Sequence, residues 1–331
     1  MRYAQKSILF LCVLVACFGN CIAQNKNFKE YRFFINPGHG GHDSDDRNIA
    51  ATGFWESESN LEKGLYLRGL LEEENAKVFI SRTTNTSKDD LDFAVIDEMA
   101  NAANVDFFLS IHSNAGSGQV NRPLLLYRGS DTNPTFKMAS GFAQIAWKSI
   151  FDTKSSWTHT DPNARGDLSF YPDWGTQGLA VLRNLAVPGV LSEGSFHDYL
   201  PESWRLRNSD YLHHEAWALF RTFKHQFNIS NESNGIAAGI VRDAVKKSNW
   251  KTSKNSPDAF QPIDGVKVTL QPGNRTYTVD KLKNGYYHFD DVKPGTYILY
   301  TQADNGYSND SASIVVAPDQ TTLTDFKLKK K

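Results

Sequence analysis

Cysteine is nearly missing from this chain: there are three among 331 residues, and Cys12, Cys17 and Cys21 all fall at the very start. Everything after Cys21 is free of thiols, which excludes a disulfide framework, thiolate metal sites and a cysteine nucleophile together. An excess of either charge is lacking too. Thirty-six Lys and Arg face 37 Asp and Glu, a net of −1, so no broad basic field holds nucleic acid or an anionic membrane nonspecifically. A partner must be recognised locally. Long hydrophobic runs are also scarce. The main one, residues 8–18, is too short for a confident membrane span.

That run follows Arg2 and Lys6 and precedes Cys21-Ile22-Ala23, a small-x-small end. Residues 1–23 therefore read as an export signal, which implies a periplasmic or secreted protein with no transmembrane span in its mature chain. Leu14-Val15-Ala16-Cys17 also resembles a bacterial lipobox, and cleavage before Cys17 would leave a lipid-anchored form instead. Either route exports the protein.

The remainder divides at a polar stretch, residues 229–235. Before it, over residues 30–228, strand-like and helix-like segments alternate. Strands are expected at 31–36, 77–81, 106–111, 124–127 and 188–192. Helices are expected at 60–74, with Leu61, Leu65, Leu67, Leu70 and Leu71, at 90–103, and at 202–227, with a stripe of Leu212, Ala216, Leu219, Phe220 and Phe223. This order predicts an α/β domain, a mostly parallel twisted sheet with helices on both faces. The aromatic stretch 116–178 is read as an insertion whose second half walls the site. After the linker, residues 236–331 show seven short runs of period two broken by Gly, Pro, Asn and Asp, which predicts a small all-β sandwich.

Two of the nine histidines stand out. His39, in Asn36-Pro37-Gly38-His39-Gly40-Gly41, and His112, in Ser110-Ile111-His112-Ser113-Asn114, each follow an apolar run where it gives way to turn-forming residues. Both imidazoles are thereby placed at strand ends, where open α/β sheets build their ligand sites, and imidazole is the commonest side-chain ligand for zinc. A hydrogen-bonded strand-end histidine is the ordinary explanation for either one alone. The pair is harder to dismiss.

Residues from about 33 to 227 resemble the zinc-dependent N-acetylmuramoyl-L-alanine amidases that cut peptidoglycan. The resemblance lies in the two histidine motifs, in Gly53-Phe54-Trp55-Glu56-Ser57-Glu58-Ser59-Asn60-Leu61, in Ser81-Arg82 and Ala103-Asn104, and in Val187-Pro188-Gly189-Val190-Leu191-Ser192-Glu193-Gly194-Ser195-Phe196. It implies a Zn2+ ion held by His39, Glu56 and His112, with Glu193 as the catalytic carboxylate and the muramoyl-peptide of peptidoglycan as substrate. Glu58 competes with Glu56, since residues two apart on a helix do not share a face. Acidic side chains at a helix N-terminus are often no more than dipole partners, and Glu193 has a plain alternative as an acid paired with Arg183. The family's usual hydrophobic residue before the glutamate is Ser192 here. Arg183, Arg165 and Asn114 are candidate substrate contacts, the arginines for their bidentate geometry toward carboxylates. His42, Asp43, Asp45 and Asp46 read as surface loop, and His197, His213, His214 and His225 as packing.

Three protein ligands leave a fourth position on zinc to water, and a carboxylate outside that set can move the water's proton to a leaving amine. Residues 236–331 resemble the prealbumin-like modules of carboxypeptidases, through Gly239-Ile240-Val241-Arg242-Asp243 and Val292-Lys293-Pro294-Gly295-Thr296-Tyr297. They suggest envelope-protein or glycan contact. A zinc carboxypeptidase is disfavoured, because no His-x-x-Glu occurs anywhere in the chain. A non-catalytic cell-wall binding protein on an amidase scaffold is the other alternative, and such a protein would typically lack a ligand or the base.

Overall fold

Successive side chains of a strand leave it on opposite faces, and the phenylalanine-rich run uses this to build two cores at once. The computed structural model describes residues 27–42, 47–161, 163–230, 233–253, 255–304 and 306–331, so the export segment read at 1–23 and Asp43, Asp45 and Asp46 lie outside the described residues. In β1 (Arg32–Pro37), Phe33 and Ile35 join Leu67, Leu71, Phe142 and Phe223 on one side. Phe34 joins Ile96, Ala100 and Leu182 on the other.

The first half continues through a short hairpin, β2 (Asn48–Ile49) and β3 (Phe54–Trp55), into α1 (Glu56–Glu73), β4 (Lys77–Ile80), α2 (Phe93–Ala103), β5 (Phe107–Asn114) and β6 (Leu124–Tyr127). Then come α3 (Lys137–Phe151), β7 (Ala164–Gly166), α4 (Asp167–Phe170), α5 (Ala180–Arg183), β8 (Gly189–Phe196), α6 (Leu200–Arg205) and α7 (Ser209–Gln226). Six strands form one sheet in the order β4-β1-β5-β8-β6-β7. Neighbours are parallel except β8 and β6, which run antiparallel. Helices α1, α3 and α7 cover one face, while α2 and α5 cover the other. The expected mixed α/β layering is therefore present.

Three expectations need correction. On α1 only Leu67 and Leu71 of the five leucines are fully buried, and Leu65 is exposed. The inward stripe continues toward the N-terminus as Gly64, Lys63, Asn60 and Glu56, so its upper half is polar. The helix expected at 202–227 breaks into α6 and α7, because Asn208 accepts a hydrogen bond from the Tyr211 backbone N–H at 2.9 Å and caps a new start. The stretch 116–178 is not only loop. It contains α3, whose Ala139, Phe142, Ala143, Ala146 and Ile150 are buried against the sheet.

The second half is a two-sheet β structure, as the period-two pattern predicts. A long strand β9 (Gly235–Lys247) pairs with β10 (Phe260–Pro262); after β11 (Lys267–Gln271) and β12 (Arg275–Thr278) comes β13 (Tyr286–Val292), which also pairs with β9. Strands β14 (Gly295–Gln302) and β15 (Asp310–Val316) complete the second sheet, of order β12-β11-β14-β15. The run expected at 323–328 is two strands, β16 (Thr321–Leu323) and β17 (Phe326–Leu328), both parallel to β9.

The polar stretch 229–235 does not hold the halves apart. Ile229 is buried in the first half's core, and Phe54, Leu206, Tyr211 and Leu212 pack directly on Ile236, Ala238, Ile240 and Tyr286. Beside this apolar seam runs a buried chain of charges. Lys63 donates to Glu215 at 3.0 Å, Lys154 to Glu215 at 2.8 Å and to Glu202 at 2.9 Å, and Arg205 to Glu202 at 2.9 Å. Arg205 also reaches Asp258 at 2.8 Å, Arg242 joins Asp258 at 3.0 Å, and Arg242 ends on Asp325. Four cations alternate with four anions, and only Asp325 has appreciable exposure. Removing one member of such a chain strands its partners in a dry interior, typically at a cost of about 3–5 kcal/mol.

Burial alone would raise the Glu202 carboxyl, but Lys154 and Arg205 pull it down to about 2 from an ordinary 4.5. A carboxylate depressed in this way stabilises the fold above its ordinary pKa, and the contribution is lost as pH falls through the folded value. Between pH 4.5 and about 2 this one group should therefore withdraw up to about 3 kcal/mol. Urea titrations at stepped pH should show that decline, with a shallower slope for Glu202→Gln. Equal slopes would remove Glu202 from the acid transition.

Candidate metal centre

The ends of β1 and β5 and the start of α1 converge on one point. His39 Nε2 lies 3.2 Å from His112 Nδ1 and 3.4 Å from Glu56 Oε2, and His112 Nδ1 lies 3.2 Å from Glu56 Oε1. One ligand atom from each of the three residues falls within 4.8 Å of the other two. The donor set suits zinc, which takes imidazole nitrogens and carboxylate oxygens from three side chains and keeps one position open in catalytic sites.

Each member is aimed by its surroundings. The ring of His112 stands over Gly38, and its Nε2 is 3.1 Å from Ser110 Oγ, which leaves Nδ1 facing the cluster. Ser110 in turn accepts from Asn36 Nδ2 at 2.8 Å, and Asn36 Oδ1 accepts from Ser81 at 2.7 Å, so three strands fix the ring through a relay of side chains. Glu56 Oε1 accepts from the Ser113 N–H at 3.0 Å and from Asn60 Nδ2 at 3.1 Å. Its Oε2 remains toward His39. His39 itself adopts φ 63°, a left-handed conformation that few side chains take without cost. The Arg82 guanidinium braces that turn by donating to the carbonyls of Pro37 at 2.9 Å, Gly38 at 3.1 Å and Ser57 at 2.7 Å.

Glu58, the competitor of Glu56, points elsewhere: it pairs with His42 at 2.7 Å in an exposed position, and His42 stacks on Trp55. Glu193 on β8 is the register partner of His112 on β5, so both side chains leave neighbouring parallel strands on the same face. Its Oε2 is enclosed and has no hydrogen-bond partner among the described residues. Burial and the charge of Glu56 push the Glu193 carboxyl well above its ordinary range, with Lys63 opposing them. Burial acts on Glu56 in the same upward sense, yet hydrogen bonds and charge from His112 and His39 outweigh it and hold that carboxylate well below. For His112, burial dominates and favours the neutral ring.

Arg165 and Arg183 are not brought to this cluster. Arg165 pairs with Asp131 at 2.7 Å on the edge strand β7, and Arg183 donates to the carbonyls of Gln177 and Gly178. Asn114 ends β5, where its side chain accepts from the Ala115 N–H and its carbonyl from the His197 N–H. His197 is buried in the packing as expected, stacked on Phe54, and also lies beside the cluster: its Nδ1 is 2.8 Å from the Ser113 carbonyl and 3.9 Å from Glu56 Oε2. Its place just after the Glu193 strand was the available signal. Tyr171, in the aromatic stretch, is raised by burial and by the charge of Glu193.

The Amidase_3 family model, described as N-acetylmuramoyl-L-alanine amidase, matches residues 33–225. The chain belongs to this family. It is 27% identical over 246 residues to the N-acetylmuramoyl-L-alanine amidase CwlM of Bacillus licheniformis, covering 72% of this chain and 84% of that one. It is 26% identical over 236 residues to a sporulation-specific N-acetylmuramoyl-L-alanine amidase of Bacillus subtilis (strain 168), covering 69% and 81%. Among solved structures, the amidase AmiC2 of Nostoc punctiforme aligns with 60% of this chain and 97% of its own at a TM-score of 0.49 and 22% identity.

The fold supplies a reason for the glycine that follows Glu193. A Cβ at Gly194 would lie 2.0 Å from Glu215 Oε1, so the buried charge chain excludes any side chain there. Gly38 is constrained in the same way, since a Cβ would lie 2.0 Å from His112 Cε1. Gly38→Ala should displace that ring and weaken divalent-metal binding by about 10–100-fold with an unchanged far-UV circular dichroism spectrum. Metal retention equal to wild type would show that the ring position is not critical.

Proposed function

We propose that this protein hydrolyses the amide bond between the N-acetylmuramoyl lactyl group and L-alanine of peptidoglycan, with zinc held by His39, Glu56 and His112 and with Glu193 as general acid and base. The observation that carries the reading is the juxtaposition itself: two imidazoles and one ionised carboxylate converge within 4.8 Å, beside a second carboxyl that has no protein partner for its inner oxygen. Zinc bound there would polarise the amide carbonyl and lower the pKa of a water molecule toward neutrality.

The remaining work falls to side chains. Glu56 stays charged because both histidines hold it so, and it contributes negative charge to the ligand set rather than a proton. Glu193 gains and gives up a proton at its free Oε2: a proton taken from water is passed to the nitrogen of L-alanine as the C–N bond breaks, so that the amine leaves neutral. Positioned transfer of this kind is typically associated with about 10²–10⁴-fold in rate. Burial keeps that carboxyl in the dry setting that raises its pKa.

The non-catalytic reading has less support, because a binding protein on this scaffold has no need of an unpartnered acid in register with a ligand histidine. The carboxypeptidase reading still has no His-x-x-Glu to rest on. We read residues 236–331 as a prealbumin-like accessory module joined at 229–235. We read residues 1–23 as an export signal that delivers the enzyme to the cell wall, with lipid attachment at Cys17 as the alternative route.

Purified protein should carry about one zinc per chain and release stem peptides that begin with a free L-alanine amine, as read by mass analysis of digested peptidoglycan. Glu193→Gln should keep its zinc and lose at least 100-fold in turnover. Products cut within the glycan or within the stem peptide would overturn the assignment of the bond, and full activity of Glu193→Gln would overturn the role of that residue.

A further inference from the structure

The pocket lined by His39 and His112 encloses about 190 Å³, below the usual 300–1,000 Å³ of a ligand cleft. A pocket of this size does not enclose a polymeric substrate, most of which must lie outside it. A groove of about 770 Å³ opens where the two halves of the molecule meet. One wall is Ala51 of the β2–β3 turn with Leu200 and Trp204 of α6, and the other is the end of β9 and the segment after it, including Lys246, Lys247 and Trp250.

The chemistry of these walls is specific. Lys246, Lys247 and Lys283 line the groove against a single carboxylate, Asp264, in a protein whose total charge is nearly balanced. Lys283 Nζ stands 5.1 Å from the ring centroid of Trp204, and Tyr307 is held in the lining by its hydroxyl, which donates to Asp243 at 2.7 Å. Partly exposed indoles beside ammonium groups suit a ligand with apolar ring faces and negative charges. Sugar rings that bear peptides with free carboxylates have both.

The groove also shares its supports with the catalytic centre. The hairpin that contributes Ala51 ends at Trp55, immediately before Glu56, and α6 begins shortly after β8, which carries Glu193. Thr52 Oγ1 and Ser203 Oγ lie 2.8 Å apart and tie the two supports together.

We propose that this groove is a second substrate-binding site, which takes the glycan-peptide of peptidoglycan with sugar rings against Trp204 and Trp250 and peptide carboxylates on Lys246 and Lys283, while the Lys247 ammonium stands over the Phe260 ring. The inference rests on the amidase reading for the identity of the polymer. Two sites on one polymer raise the effective concentration of each at the other, so the groove holds the enzyme on the wall between cuts. Because the lysines are solvent-facing, this binding weakens with salt.

The test measures binding without turnover, in a Glu193→Gln background, by sedimentation with purified sacculi. Trp250→Ala and the pair Lys246→Glu with Lys283→Glu should each lower the bound fraction at least fivefold, with unchanged circular dichroism spectra and thermal midpoints, whereas Lys246→Arg should bind as the parent does. A soluble disaccharide-tetrapeptide should compete with sacculi at least tenfold better than the same disaccharide without its peptide. Binding within twofold of the parent for both disruptive variants would overturn the proposal, as would equal affinity for a DNA oligonucleotide. Retained turnover in the Glu193→Gln parent would count against the assigned role of Glu193 and leave the sedimentation result standing.

Discussion

The alternating chain of buried charges from Lys63 to Asp325 is the constraint on which the rest of this structure depends. It begins beneath the catalytic strand, passes through Glu215, Lys154, Glu202, Arg205 and Asp258, and ends on Arg242 and Asp325 in the second half. Each internal member touches two opposite charges, so no link can be removed without leaving a neighbour unpaired in a medium that solvates it poorly. Tyr211 and Tyr199 add hydroxyl donors to Glu202 and Asp258. An apolar seam of the same size would have bound the halves as firmly. A charge chain in addition specifies one registration between them, because a shift of one residue would juxtapose like charges.

That registration reaches the cluster of His39, Glu56 and His112 and the neighbouring Glu193 through two residues. Lys63 lies on the polar half of the α1 stripe that also carries Asn60 and Glu56, so the salt bridge to Glu215 locks α1 in rotation. Glu215 occupies the space that a side chain on residue 194 would need, one position from Glu193. Glu56 and Glu193 are thereby positioned from opposite ends of one ion pair. The second half of the chain, though it contributes nothing to the metal cluster, is connected to it by continuous charged contacts.

How much of this was readable beforehand depends on distance along the chain. His39 and His112 follow buried strands whose apolar runs are contiguous, so their place at the sheet edge is local information. The period-two runs after residue 235 are likewise local, and all seven correspond to strands. The leucines of α1 misled because the stripe was assumed to be apolar throughout, when its upper half is buried by polar partners: Asn60 by the Gly38 carbonyl and Glu56, Lys63 by Glu215. Lys63 and Glu215 are 152 positions apart, and each looks like an ordinary surface residue in its own segment. Only the fold reveals that they meet. His197 packs on Phe54, in line with its reading as a packing residue, and its nearness to Glu56 is not legible in the apolar run, because β8 extends past the end of that run to Phe196. Arg165 and Arg183 were chosen for their chemistry alone, and each is occupied by local partners.

The two carboxyl groups at the centre show how one protein interior assigns opposite roles to the same functional group. Burial raises both, so burial cannot be what separates them. The difference is in their partners. Glu56 faces two imidazoles, a backbone N–H and an amide, all of which favour its anion. Glu193 faces the negative charge of Glu56 with no hydrogen bond to its inner oxygen, and Lys63, the one nearby cation that favours its anion, is already engaged by Glu215. The negative charge of Glu56 is itself one of the causes that raise the Glu193 carboxyl. Pairs of titratable groups driven apart in this way mark acid-base centres.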